Sequence, residues 1–142
     1  MANSVTNKCK FELATGDANL DAADMRCLLL TTAGAPTADT NFVNDIVANE
    51  VSVGGYARQT LTGETVTEDD TNDFAYLDAN DATFTALVAG QTIGWAILFR
   101  HTGSDATAPV YGNYDVTDTP TNGSDVTIVW ATPANGGLLK LA

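Results

Sequence analysis

The chain has 142 residues, enough for one domain with its own hydrophobic core. It carries 18 acidic and 6 basic residues and a formal net charge of −12. Such a charge repels phosphate backbones and anionic lipids, so we expect neither a nucleic-acid partner nor a membrane partner. No apolar run approaches the ~18 residues of a membrane span, and the first residues do not resemble a secretory signal.

The composition favours strands over helices. Hydrophobic residues make up 44% of the chain. Threonine, valine and glycine are abundant. β-Branched residues suit a pleated surface, whereas glycine, asparagine and aspartate supply turns. We therefore predict an all-β, single-domain β-sandwich of jelly-roll-like type, with one short helix and extended terminal arms.

The predicted elements follow one another at short intervals, as is typical of a sandwich. Alternation of apolar and polar residues predicts a first strand over Lys8 to Leu13, with Cys9, Phe11 and Leu13 on its buried face. Met25 to Thr32 is apolar on both faces, which predicts a central strand. Asn41 to Ala48 predicts the short helix, capped by Thr40 or Asn41.

Seven further strands are predicted towards the C-terminus. Thr92 to His101 has the strongest pattern, and we expect it at the centre of a second sheet. In chain order the seven cover Tyr56 to Thr62, Thr65 to Glu68, Phe74 to Leu77, Thr83 to Leu87, Thr92 to His101, Pro109 to Val116 and Asp125 to Thr132.

The two ends of the chain are predicted to lie outside the main body. We assign residues 1–7 to an N-terminal arm, 8–135 to the β-sandwich and 136–142 to an apolar C-terminal tail. A short apolar terminus needs a surface to pack against. The leucines of this tail could close the chain's own sheet or dock on a neighbouring subunit, and the sequence leaves both open.

The residues give little support for catalysis. A nucleophile needs a base within hydrogen-bond reach, and the one histidine, His101, lies beside a turn with no Gly-x-Ser-x-Gly motif nearby. We therefore expect a strand-end histidine rather than a catalytic one. Paired carboxylates and phosphate-binding glycine loops give no positive signal either, so the prediction is a protein with no catalytic residues and no cofactor.

A metal site is not predicted. Cys9 and Cys27 with a single histidine cannot complete a four-ligand zinc site, and we expect both to be reduced cysteines in the core. Asp17, Asn19 and Asp21 match the first oxygen positions of a calcium-binding EF-hand loop. The match fails at the sixth and twelfth positions, where glycine and glutamate are required.

Several segments together resemble a family of small virion structural proteins of tailed phages, of the capsid decoration or cement type. The most specific is Gly55-Tyr56-Ala57-Arg58-Gln59-Thr60-Leu61-Thr62-Gly63. The others are Phe11 to Asp17, Asn49-Glu50-Val51 and Ala89 to Phe99, and the resemblance extends over roughly Lys8 to Asp115. It implies a non-enzymatic protein on the capsid surface of the virion, assembled in the host cytoplasm.

The resemblance implies the major capsid protein as partner, together with self-association into a dimer or trimer. The predicted interface comprises Tyr56 and Arg58 on one strand, with Arg58 in an interfacial ion pair, and Leu138, Leu139 and Leu141 in the tail. High negative charge would keep free copies apart, and repeated weak contacts on a lattice would hold bound ones. The alternatives are a tail- or fibre-associated module that binds host glycans and a small hydrolase built on His101.

Overall fold

The computed structural model describes residues 3–142, so Met1 and Ala2 of the predicted N-terminal arm lie outside the described residues. Within that range the chain is mostly antiparallel strands with one α-helix, which confirms the all-β sandwich-like prediction. The elements are β1 (Ser4–Val5), α1 (Asn7–Thr15), β2 (Met25–Thr31), β3 (Gln59–Thr60), β4 (Thr65–Asp69), β5 (Phe74–Asp78), β6 (Ala82–Phe84), β7 (Thr92–Arg100), β8 (Val110–Pro120), β9 (Val126–Ile128) and β10 (Leu139–Leu141).

A five-stranded antiparallel sheet in the order β1-β8-β7-β2-β3 is the framework of the fold. Strand β7 is its middle strand and pairs with both β8 and β2, for example at Leu28 opposite Ile97. The expectation that β7 lies in a second sheet, apart from β2, is therefore wrong. Both strands are apolar on both faces, and two such strands are most fully buried side by side in one sheet.

The two faces of this sheet carry separate hydrophobic clusters. On one face, side chains such as Cys27, Leu29 and Leu98 pack against a second layer, formed by the three-stranded sheet β10-β5-β4 and the pair β6-β9. On the other face, Leu28, Trp95 and further strand residues pack under the loop that follows β2. Alternation along the strands divides the apolar residues between the faces.

The segment Lys8 to Leu13 is a helix and not the predicted strand. Thr6 caps α1 by accepting a hydrogen bond from the Cys9 backbone N–H at 3.1 Å, and Gly16 ends it with a left-handed φ of 82°. Cys9 and Glu12, three residues apart, are buried, whereas Phe11 is 58% exposed. The alternation that predicted a strand did not mark the buried face.

The predicted helix from Asn41 to Ala48 is replaced by two short 3₁₀ turns, Val43–Asp45 and Val47–Asn49. Neither Thr40 nor Asn41 caps them. Instead, the Asp45 carboxylate accepts backbone hydrogen bonds from Phe42 at 2.9 Å and Asn41 at 3.3 Å. The turns place Val43 and Ile46 over the second face of the large sheet, which is the packing the predicted helix would have supplied.

The remaining strand predictions are confirmed in position, with changed lengths. Only Gln59–Thr60 of the predicted strand Tyr56 to Thr62 is a strand, because the side chains before it enter polar contacts described below. Strand β8 extends to Pro120, and β9 ends at Ile128. Ala86, with a left-handed φ of 50°, lies beyond the shortened β6.

Both ends of the described chain pair with the body of the fold. Ser4 and Val5 pair antiparallel with β8, and β10 pairs antiparallel with β5. Gly137 allows the turn into β10, since its φ is 59° and a Cβ there would lie 2.7 Å from the Leu77 carbonyl oxygen. The sequence left open whether the C-terminal leucines close the chain's own sheet or dock on a neighbouring subunit. In the structure the tail pairs with β5 of its own chain.

Candidate interaction surface

Arg58 of the predicted interface forms its ion pairs within the chain. Its guanidinium lies between two carboxylates, with Nη2 at 2.6 Å from Glu50 Oε2 and Nη1 at 2.6 Å from Asp105 Oδ1. Both contacts are bidentate, because Nε also donates to Glu50 and Nη2 to Asp105. These hydrogen bonds hold the pKa of Asp105 below its usual value. The ion pairs of Arg58 in the structure thus join loops of one chain, whereas the prediction placed its ion pair at an interface.

Tyr56 is also engaged internally. Its hydroxyl donates to Glu50 Oε1 at 2.8 Å and accepts from the Leu29 backbone N–H at 3.0 Å, and its ring stacks on Phe84 with 5.8 Å between centroids. Burial, and then the nearby Glu50 carboxylate, raise the pKa of Tyr56. Tyr56 and Arg58 therefore converge on one carboxylate and hold the segment before β3 against the sheet.

The three leucines of the predicted interface differ in exposure. Leu138 and Leu139 are buried in the main core, and Leu141 is half-buried beside it. The Tyr114 hydroxyl donates a hydrogen bond to the Leu138 carbonyl oxygen at 2.5 Å, so the tail is held by a hydrogen bond as well as by apolar packing. In this conformation Leu141 has the most surface left for a neighbour.

A second ionic cluster surrounds Glu12 and was missed by sequence reasoning. This buried carboxylate lies 3.2 Å from Lys8 Nζ and 3.1 Å from Arg100 Nη2, and it accepts a hydrogen bond from the Tyr111 hydroxyl. Burial, and then the bond to Glu12, raise the pKa of Tyr111. The missed signal is the i,i+4 spacing of Lys8 and Glu12, which is meaningful only on a helix.

His101 follows β7 at the strand end, as predicted, and is half-buried. Its backbone N–H donates to the Asp24 carbonyl oxygen at 2.8 Å. The nearby Ser104 uses its carbonyl oxygen to accept from Thr102 and Thr107. The described residues therefore show no hydrogen bond from the His101 ring to a hydroxyl nucleophile.

The predicted oxygen and sulfur ligands do not converge. Over residues 3–142 there is no group of three or more histidine, cysteine, aspartate or glutamate side chains placed to hold a metal ion. In the EF-hand-like segment, Asp17 accepts from the Thr15 hydroxyl and Asn19 from the Asp21 backbone. Cys9 and Cys27 are both free and buried, as predicted. Within the same range no helix has the length and hydropathy to cross a membrane.

A surface depression lies between the two ends of the described chain. It has a volume of about 730 Å³ and is bordered by β1, β10, the middle of β8 and the segment after β9. Val129, 74% exposed, is its most exposed large apolar side chain, and Lys10 of α1 lies at its rim. Strands β1 and β10 are each the last strand of their sheet. We call this depression the edge groove.

Comparisons of the chain with protein-family models, with curated proteins and with solved structures find no match. The resemblance to phage decoration proteins thus stays a prediction, and function has to be argued from the surface.

Proposed function

We propose that this chain is a non-enzymatic structural subunit of a phage particle, which decorates or cements the outer capsid by contacts with the major capsid protein and with copies of itself. The edge groove is the observation that carries the proposal. It places two sheet edges, β1 and β10, beside exposed apolar surface such as Val129. Sheet edges offer unpaired N–H and C=O groups to which another chain can add a strand.

The internal use of the ionic side chains also supports binding rather than catalysis. Glu50 is bound by Arg58 and Tyr56, and Glu12 by Arg100, Lys8 and Tyr111. A catalytic acid or base must be able to reach a substrate proton. These carboxylates instead join distant segments of the chain, which stiffens the subunit for docking.

The net charge of −12 fits a subunit that is made free and then bound in many copies. Like charges oppose non-specific aggregation of unbound copies in solution. Attachment to a repeating shell adds many weak contacts together, so that no single contact needs to be strong.

The tail- or fibre-associated glycan-binding alternative has less support. Sugar platforms use exposed aromatic rings, whereas Trp95 and Trp130 are both packed inside the fold. Phe11 is the one strongly exposed large aromatic side chain among residues 3–142.

The test is an add-back experiment on phage heads that lack this chain. We expect the purified chain to co-sediment with them to a fixed ratio of copies per coat protein and to raise the temperature at which they release DNA. An unrelated acidic protein of similar size controls for charge. Heads that bind no chain, or that are equally heat-resistant with and without it, would contradict cementing, and binding on a glycan array would favour the alternative.

A further inference from the structure

We propose that copies of this chain associate head to tail, with strand β4 of one copy docking in the edge groove of the next. The inference concerns the self-association that the proposed function includes, and it specifies both surfaces. It rests on the unpaired Lys10 in the groove, on the exposure of β4, and on the position of β10 and β4 at opposite edges of one sheet.

Lys10 is a cation without a salt-bridge partner among the described residues, and it lies in the edge groove, whose lining also includes Lys140, Asp115 and the C-terminal residue Ala142. Of the six basic residues, four are paired with carboxylates within the chain, and Lys140 Nζ lies 4.1 Å from the centroid of the Phe74 ring. Among the lysines and arginines of residues 3–142, Lys10 is the one whose side chain has neither a carboxylate nor an aromatic partner. Lys10 is therefore available to pair with one carboxylate of an occupant.

Strand β4 has the complementary chemistry. Four of its five residues are exposed, including Val66 and Glu68, and Asp69 and Asp70 continue the acidic run. The Glu68 carboxylate has no cationic partner within the described chain. β4 therefore offers an extended backbone edge, an apolar side chain for the groove and an acid for Lys10.

The sheet order makes the two surfaces compatible. In the sheet β10-β5-β4, β10 borders the groove and β4 is the opposite edge. Pairing of β4 with β10 of the next copy would continue one sheet from subunit to subunit. Because the two surfaces differ and lie on opposite sides of the sheet, two copies cannot satisfy both. The smallest closed assembly is a ring of three, which selects the trimer from the dimer or trimer of the sequence prediction.

The test is sedimentation velocity on the full chain at low salt over a range of concentrations, without phage heads. We expect a trimer that dissociates on dilution. Lys10→Glu and Glu68→Lys should each weaken association by roughly tenfold or more, and the double variant should restore much of the loss, because the swapped charges attract again.

Two matched controls separate the interface from overall charge and hydrophobicity. Asp118→Lys makes the same charge change as Glu68→Lys at an exposed position of β8, and it should leave association unchanged. Val129→Asp should abolish association, whereas Val88→Asp should not, because Val88 is 53% exposed but outside the groove.

Three results would overturn the inference: a monomer at the highest soluble concentration, single charge variants that associate like the unaltered chain, or a double variant that is not restored. A monomer that binds heads in a Lys10-dependent manner would assign the groove to the coat protein instead. That result would reject head-to-tail assembly and leave the proposed function standing.

Discussion

Arg58 joins its own segment to Glu50, eight residues away in the sequence, and to Asp105, 47 residues away. Its guanidinium binds Glu50, which follows the second 3₁₀ turn, and Asp105, which lies between β7 and β8, and it sits 5.4 Å from the Phe99 ring centroid. Removing it would leave two carboxylates facing each other in a partly desolvated site. The cost of such a change is mainly the uncompensated charge that remains.

We expect Arg58→Met to lower the free energy of unfolding by about 1–3 kcal/mol, less than for a fully buried pair because solvent screens part of the site. Arg26→Met is the matched control. Arg26 pairs with Asp24 at 2.9 Å on a more exposed surface, so its loss should cost less than about 1 kcal/mol. Urea denaturation of both variants measures the difference, and equal losses would contradict the assigned role.

Asp105 contributes to the pH dependence of stability. Its pKa is lowered by the hydrogen bonds from Arg58, so the folded state binds its proton less readily than the unfolded state. This contribution is complete above the unfolded pKa of about 3.9 and is lost as the pH falls through the folded pKa. Stability should therefore fall below about pH 5.

Asp105→Asn should reduce the slope of stability against pH between about pH 5 and pH 2, while Asp24 and Asp69, whose pKa values are also lowered, keep their share. Urea denaturation at a series of pH values is the measurement. An unchanged slope would show that the Arg58 bonds do not perturb Asp105.

The two cysteines should be chemically silent in the folded chain. Burial raises the pKa of Cys9 and of Cys27 to about 12, and both side chains are fully enclosed. At pH 8 we expect no reaction of the native chain with dithionitrobenzoate and two thiols per chain after denaturation. A thiol that reacts at once in the native chain would place that residue at the surface.

At the scale of elements, β10 turns the apolar tail into part of the core. Leu139 is 1% exposed and packs in the main cluster, opposite Leu77 of β5. Leu139→Ala should lower the free energy of unfolding by about 2–4 kcal/mol, through lost burial and the cavity left behind. Leu141→Ala, at the half-buried end of the same strand, should cost about 1 kcal/mol. Thermal or urea unfolding compares them, and similar losses would mean that the tail does not dock as described.

The strands were predictable where burial alone determines the pattern. Strands β2 and β7 are apolar at successive positions, because both of their faces are buried, and this pattern is visible in the sequence alone. The segment from Lys8 to Leu13 fits a strand by alternation, and only the cap at Thr6 and the glycine at 16 distinguish the helix. Alternation over six residues is weak evidence when capping residues at both ends of the segment favour a helix.

The site was predictable in part. The sequence singled out Tyr56 and Arg58, and both are placed in a dense polar cluster. Their partners Glu50 and Asp105 could not be assigned, since Asp105 is 47 residues from Arg58 in the chain. The edge groove could not be predicted either, because residues from both ends of the chain line it and come together only in the folded structure.

At the scale of the whole molecule, the basic side chains mostly form contacts within the chain, whereas most acidic side chains of the described residues remain without a cationic partner. Five of the six basic residues are engaged within the described chain, so most of the negative charge remains at the surface. Salt should therefore have opposing effects: it screens the repulsion between free copies and weakens a contact made by Lys10. Association that depends on Lys10 should weaken as salt is raised, and sedimentation at several ionic strengths would measure this.

A cryo-electron microscopy map of the phage particle tests the central claim most directly, namely that this chain works by protein–protein contact on a coat. We predict density for the ten-strand fold on the outer surface of the capsid, in contact with the major capsid protein. A map that accounts for every surface subunit without this fold, or that places it only on the tail tip, would contradict the account.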